Sequence, residues 1–332
     1  MKFGFIPIEG GHFYQEFCQE VLLGESLGFD SVWLEEHHGI GNLYWPSPLV
    51  GLAGIATMTE QILLGTDIMV MPFYHPVRVA EDTAMLDIMS DGRFILGTAI
   101  GYRPDEFDLY QASMDKRGAR FEEAICLIKQ LWTQEQVDFD GKFYQVKNLK
   151  IEPRPVTKPH PPIWIGGWGK LSLARAARLG DAWIPGPTAS LDKLCKARSL
   201  YHQNLKAIDV DPESRPAPLT REVVIAGNDE EAWEIAERHL LINYRDEYGS
   251  KEWNHPLIGR EDTTPVEQLY GLSRDRFLIG SPESINLQLQ KLKDAFGMDH
   301  LICRLYFPGI SHAFIMSELK LLASEVLPVF KN

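Results

Sequence analysis

The feature that most constrains the fold is a junction that recurs along the chain. Leu27-Gly28-Phe29-Asp30, Leu179-Gly180-Asp181 and Phe296-Gly297-Met298-Asp299 each close a helical stretch with glycine and launch a strand. The strands so launched run from Val32 to Leu34, from Ala182 to Ile184 and from His300 to Cys303. Asp91-Gly92-Arg93 before Phe94 to Leu96 is a looser fourth case. Glycine past a helix end supplies the left-handed conformation that turns the chain back. Helix-to-strand returns of this kind predict a parallel sheet with right-handed crossovers. Strands are expected near residues 3, 32, 66, 95, 164, 183, 223 and 303. Eight strands alternating with helices is the count of a (β/α)8 TIM barrel, a fold that commonly fills a chain of this size.

The remaining stretches attach to that frame. Phe13, Phe17, Val21 and Gly24 share one helical face, as do Phe121, Ala124, Ile125, Ile128 and Trp132. Ile62 to Met71 is the longest β-rich run, interrupted by the polar Asp67, which fits a bulge, a paired core carboxylate or a group at the barrel mouth. Val137 to Ile151 reads as a hairpin around Asp140-Gly141, outside the barrel. The polar stretch 243–276 is longer than an ordinary connection and is expected to form a lid or mobile insertion within a single domain, 1–332.

Composition narrows the partners. A net charge of −13 argues against nucleic acid or an anionic membrane surface. The four cysteines form no CxxC pair, and no run reaches the length of a membrane span, so a cytoplasmic protein is expected. There is no GxSxG elbow, and the adjacent His37 and His38 would point to opposite faces of a strand, so no metal site is expected.

The stretch Ser31 to His38, Ser-Val-Trp-Leu-Glu-Glu-His-His, carries the chemistry. A buried apolar strand runs straight into ionisable groups, the pattern of the active face of a parallel α/β protein. A solvated strand end with Glu and His merely paired gives the same pattern. A second cluster, Gly166-Gly167-Trp168-Gly169-Lys170-Leu171-Ser172, follows a strand and opens a helix. It suits an anion nest built from backbone N–H groups and a hydroxyl, and equally a tight turn that uses glycine for sterics alone. Trp168, Trp183, Tyr102 and Tyr306 at candidate strand ends would suit a flat ring, or serve as core.

Trp33-Leu34-Glu35-Glu36-His37-His38, Gly65-Thr66-Asp67-Ile68, His75-Pro76-Val77-Arg78 and Asp91-Gly92-Arg93-Phe94 resemble, in that order, motifs of the bacterial luciferase-like superfamily. So do Gly101-Tyr102-Arg103-Pro104-Asp105-Glu106-Phe107, Ile163-Trp164-Ile165-Gly166-Gly167, Ala176 to Trp183 and Gly280-Ser281-Pro282-Glu283. The resemblance implies a barrel that binds reduced FMN, or in some members a deazaflavin, at its C-terminal face. It implies catalytic roles for His37, Glu36 and His75, and a cis peptide at Asp67–Ile68 beneath the flavin. Cofactor contacts are expected from Asp67, Ile68, Ala99, Gly101, Tyr102, Gly166, Gly167, Trp168, Gly169 and Ser172.

Ile100 stands where luciferase has a phosphate-binding arginine, and Ala99 where it has a cysteine. The phosphate grip is therefore expected from backbone N–H groups, Ser172, Lys170 or Arg103, and neither light emission nor a long-chain aldehyde substrate is expected. The implied function is a luciferase-like monooxygenase acting on a small organic substrate with O2, its reduced flavin supplied by a separate flavin reductase. The alternatives are deazaflavin-dependent hydride transfer on the same barrel and a flavin-binding homologue without turnover. Oligomers are common in that group, so a homodimer is expected, with Val77 to Met89 as a candidate face.

Overall fold

The computed structural model describes residues 1–9, 11–39, 44–242, 244, 273 and 275–331. The expected lid over 243–276 lies almost wholly outside the described residues, as does Gly10 of the first turn.

Eight parallel strands make the barrel: β1 (Lys2–Ile6), β2 (Ser31–Leu34), β3 (Leu63–Thr66), β5 (Phe94–Ala99), β8 (Ile163–Gly166), β9 (Ala182–Ile184), β10 (Pro218–Ile225) and β12 (His300–Arg304). These are the eight strands expected from the sequence. Two short strands flank them. β4 (Met69–Val70) pairs with β5, and β11 (Leu278–Gly280) pairs with Val223 to Ile225 of β10. Hydrogen-bonded order runs β11-β10-β12-β1-β2-β3-β5-β8-β9. Among the described residues no ladder joins β9 to β10. Arg221, fully buried on β10, reaches over that gap and donates to the carbonyl oxygens of Pro187 and of Ala189, the latter at 2.9 Å. A guanidinium, with five donors in a rigid fork, can hold two carbonyls at once where backbone pairing is missing.

The recurring glycine junctions act in two parts. Gly28, Gly92 and Gly297 have φ of +87°, +78° and +70°, the left-handed turn expected of them. Gly180 does not: its φ is −94°, and a Cβ there would lie 2.9 Å from the Ala176 carbonyl oxygen. Glycine is needed at that junction for close approach. The aspartate that follows each junction ties down the neighbouring strand. Asp30 accepts from Phe3 N at 2.7 Å, Asp181 from Ile163 N at 2.8 Å and Asp299 from Ala217 N at 2.9 Å. Each bond satisfies a backbone donor at the N-terminal rim of the barrel, where no ladder partner is left for it.

The barrel interior is filled from the N-terminal end. Trp33 stacks on Trp164 with ring centroids 4.9 Å apart, and its indole N–H donates to Ser31 Oγ at 2.7 Å. Ser31 Oγ lies 2.7 Å from His300 Nε2. Burial pushes His300 down to about 3, so its ring is neutral. Gly65 leaves the space that Trp33 takes, because a Cβ there would sit 2.2 Å from the indole. A cavity of about 830 Å³ opens at the N-terminal rim, among Asp30, Leu63, Trp164, Asp181 and His300, but this layer of rings closes it off from the C-terminal ends of the strands, where the active sites of this fold sit.

Ile62 to Met71 is broken where Asp67 raised doubt, since β3 stops at Thr66 and β4 resumes at Met69 across a cis peptide at Asp67–Ile68. The expected hairpin is present as β6 (Val137–Asp140) and β7 (Gln145–Leu149). No helix among the described residues is long and apolar enough to cross a membrane.

Candidate active site

β2 delivers Glu35 to His38 to the C-terminal face; strand geometry ends at Leu34, and the His37 and His38 rings, expected to point apart, take different partners. Loop contacts set both rings. Glu36, 2% exposed, accepts from Val70 N at 2.7 Å, from the Tyr74 hydroxyl and from His38 Nε2 at 2.7 Å. His38 Nδ1 in turn lies 2.9 Å from the Tyr110 hydroxyl. Burial, then the adjacent Glu36 carboxylate, pushes the Tyr74 phenol up and keeps it a donor. Glu36 therefore has both oxygens engaged by protein donors. The catalytic role expected for it becomes one of holding β4, His38 and Tyr74 in place.

His37 is held differently. Its Nδ1 lies 2.8 Å from Glu106 Oε1, an oxygen that also accepts from His38 N at 3.0 Å. Glu106 sits in the first turn of the short helix Pro104–Leu109, with Arg103 Nε 3.8 Å away. Burial alone would raise this carboxyl, but the His37 hydrogen bond and charge, the His38 N–H and Arg103 together hold it below its ordinary value. An ionised Glu106 accepts only, so His37 Nδ1 carries a proton and donates it. His37 Nε2 then offers a lone pair or a second proton, and it has no hydrogen-bond partner among the described residues. The side chain is 16% exposed, with Tyr44 packed edge-on at 4.5 Å and Tyr102 at 6.3 Å.

Of the expected cofactor contacts, three converge. A Cβ on Gly166 would lie 3.0 Å from Ile68 Cδ1 and 3.4 Å from Ala99 Cβ, so β3, β5 and β8 end around one patch. Asp67 beside it accepts from Thr220 Oγ1 at 2.5 Å. Gly101, at φ +71°, has Val70 and Phe107 so close that any side chain would clash. The glycine turn is also formed. Gly167 has φ +131° and its carbonyl oxygen accepts from Trp183 Nε1 at 2.8 Å, while Trp168 packs edge-on against Trp183. The helix Lys170–Leu179 starts after Gly169 with no side-chain cap, leaving first-turn N–H groups for an anion, and Ser172 lies against Gly167.

Two expectations change. Arg103, 3% exposed, pairs with Asp105 at 2.8 Å and faces Glu106, so its charge serves the Pro104–Leu109 turn and not the glycine turn. His75 is exposed, accepts from Val77 N at 3.3 Å to cap the helix Pro76–Met89, and packs edge-on to Tyr144 of the hairpin. No hydrogen bond or ring contact joins it to His37. Glu106, Tyr44, Tyr74 and Tyr110 were missed by sequence reasoning. Glu106 alone left a signal, an acidic first turn after Arg103-Pro104 beside a candidate strand end.

Among the described residues no group of three or more His, Cys, Asp or Glu side chains is arranged to hold a metal ion. The model of the luciferase-like monooxygenase family matches residues 7–300. The chain belongs to that family. It is accordingly an enzyme of the luciferase-like oxidoreductases. The chain is 28% identical over 329 residues to the oxygenase component of the flavin-dependent trigonelline monooxygenase of Acinetobacter baylyi, covering 96% of this chain and 90% of that one. It is 25% identical over 334 residues to the F420-dependent glucose-6-phosphate dehydrogenase of Amycolatopsis mediterranei, covering 95% and 94%. Among solved structures, the monooxygenase RslO1 from Streptomyces bottropensis superposes with a TM-score of 0.85 at 24% identity, over 99% of this chain and all (100%) of that one.

Proposed function

We propose that this luciferase-like enzyme is a flavin-dependent monooxygenase that uses reduced FMN and O2 on a small organic substrate. The observation that carries the reading is the His37–Glu106 pair at the C-terminal mouth, beside a flat patch of small and apolar groups. When bound, reduced flavin supplies the electrons and the activation of dioxygen. The residues present fit such a group. Gly166 and Ala99 leave room beside Ile68 for a planar ring, and the uncapped turn from Gly169 to Ser172 offers N–H groups and a hydroxyl to a phosphate. Asp67, Gly101, Tyr102, Gly167 and Trp168 complete that bed.

His37 is the group that moves a proton. Glu106 fixes the ring through Nδ1 and stabilises its charged form, so Nε2 can take a proton and return it. Glu36, His38 and Tyr74 hold the loop that carries His37. His75, far from this pair in its contacts, is assigned to helix capping. The chain is assigned as one domain, and a separate reductase supplies the reduced flavin, in keeping with a full-length relative that is an oxygenase component. Val50, Met85 and Met89, apolar and exposed on two outer helices, suit a homodimer face.

The F420-dependent relative favours a second reading, hydride transfer with a deazaflavin on the same bed. Anaerobic titration with reduced FMN and with reduced F420, followed by flavin fluorescence, separates the two. Saturable micromolar binding of FMN alone is expected, on the order of the affinity that a phosphate and a stacked ring supply together. Binding of F420 alone would move the enzyme to the hydride-transfer branch.

A further inference from the structure

The mouth of the barrel gathers carboxyl groups that, Asp67 apart, the flavin reading leaves unused. Glu9 follows β1, Glu35 follows β2, Asp67 follows β3, Glu222 lies on β10 and Arg304 ends β12. Among the described residues, four carboxyl groups thus gather around the Arg304 guanidinium, with that of Arg221 also acting on Glu222. Of these four, Glu35 lies nearest to it, at 2.7 Å to Nε, whereas Glu9 and Glu222 stand at 3.8 and 4.0 Å, beyond hydrogen-bond reach. Glu222 Oε1 accepts from the Tyr244 hydroxyl, and Tyr44 accepts from Arg304 Nη2 at 3.2 Å.

Glu9 is the telling member. It is fully buried, and apart from loose contacts with Glu35 beside it neither of its oxygens has a hydrogen-bond partner among the described residues; Glu222 Oε2 has none. A buried carboxyl without a partner is costly to keep, and fixed carboxyls that exceed their counter-charge favour any cation that can reach them. Access is by way of Glu35 and Asp67, which are both part-exposed. The walls suit an organic cation: Tyr44 and Phe307 already present their faces to the Arg304 guanidinium, at 5.4 and 5.6 Å from its central carbon. Tyr44 also packs on the His37 ring, so the cluster adjoins the proton-handling group.

We propose that this carboxyl cluster seats a positively charged group of the organic substrate, a protonated amine or a quaternary nitrogen, next to His37. Its role in turnover rests on the flavin reading; its binding does not. Burial raises the Glu9, Glu222 and Asp67 carboxyls above their ordinary range. An arriving cation takes over their compensation, so its uptake releases protons.

The test is calorimetry on the flavin-free full chain at pH 7, with tetramethylammonium and N-methylpyridinium as probes. Tert-butanol, benzoate and magnesium ion serve as neutral, anionic and inorganic controls, and buffers of different ionisation enthalpy report protons. Saturable one-to-one binding of the cations with proton release is expected, with no binding of the controls. Glu9→Gln and Glu35→Gln, checked for an unchanged fold by circular dichroism, should each weaken the cations about tenfold, the scale of one charge-assisted contact. Cation binding without proton release, equal binding of tert-butanol, or unchanged affinity in both folded variants would overturn the proposal. Reduced FMN titrated against the same proteins keeps the two readings apart. Flavin binding with no cation binding defeats only this inference, and cation binding with no flavin binding defeats only the cofactor reading.

Discussion

At the scale of residues, the account turns on one carboxylate. Glu106 acts through His37, so it is a positioning residue. Glu106→Gln keeps a hydrogen-bond acceptor for Nδ1 but removes the charge that favours the protonated ring. Turnover is expected to fall about 10- to 100-fold, with flavin affinity within a few fold and a displaced pH–rate profile. A merely structural role would lower activity without moving that profile. Asp67 gives a second residue-level prediction. Burial first, and then Glu35 and Glu222 against the opposing Thr220 hydrogen bond and Arg304, push its carboxyl up to about 7. A raised carboxyl destabilises the fold only when ionised, so the penalty is absent below the ordinary carboxylate range and grows as pH rises toward 7. Asp67→Asn carries no such penalty. It should exceed the wild type by about 2–4 kcal/mol at pH 8 and lose that advantage near pH 4, as read by urea unfolding at both values. A constant difference across pH would show that the group titrates normally.

At the scale of elements, the sequence was most legible where local chemistry repeats. The glycine junctions predicted parallel strand returns because a left-handed turn is written in one residue. The partner of the following aspartate was not legible, because Phe3, Ile163 and Ala217 lie far from Asp30, Asp181 and Asp299 in the chain and meet them only across the sheet. The same reason hid Glu106, 69 residues from His37. Which partner each histidine takes was not legible either, because the strand stops at Leu34, before the pair it delivers. Arg221 is the element-level test, since it stands in for the ladder missing between β9 and β10. Arg221→Leu leaves the Pro187 and Ala189 carbonyls unpaired and should cost about 2–4 kcal/mol, seen as a lowered urea midpoint. A loss under 0.5 kcal/mol would mean that this seam of the barrel closes without it.

For the whole molecule, alternation of strand and helix specified the barrel, and the Trp33, Trp164 and His300 rings separate its N-terminal rim from the C-terminal mouth proposed as the site. The order of short motifs pointed to the family that the full-length comparisons then established. What no pattern revealed is the excess of buried carboxyl groups at the mouth, because Glu9, Glu35, Asp67 and Glu222 sit on four separate strands or strand ends. The measurement that tests the central claim most directly is stopped-flow reoxidation of reduced FMN, mixed with O2 in the presence of wild-type protein and of His37→Ala. The account predicts that the wild type slows the return of oxidised flavin absorbance relative to free FMN. His37→Ala should bind FMN within a few fold of the wild type and lose at least about tenfold of that slowing. Reoxidation at the free-flavin rate with wild-type protein, or identical traces for the two proteins, would contradict it.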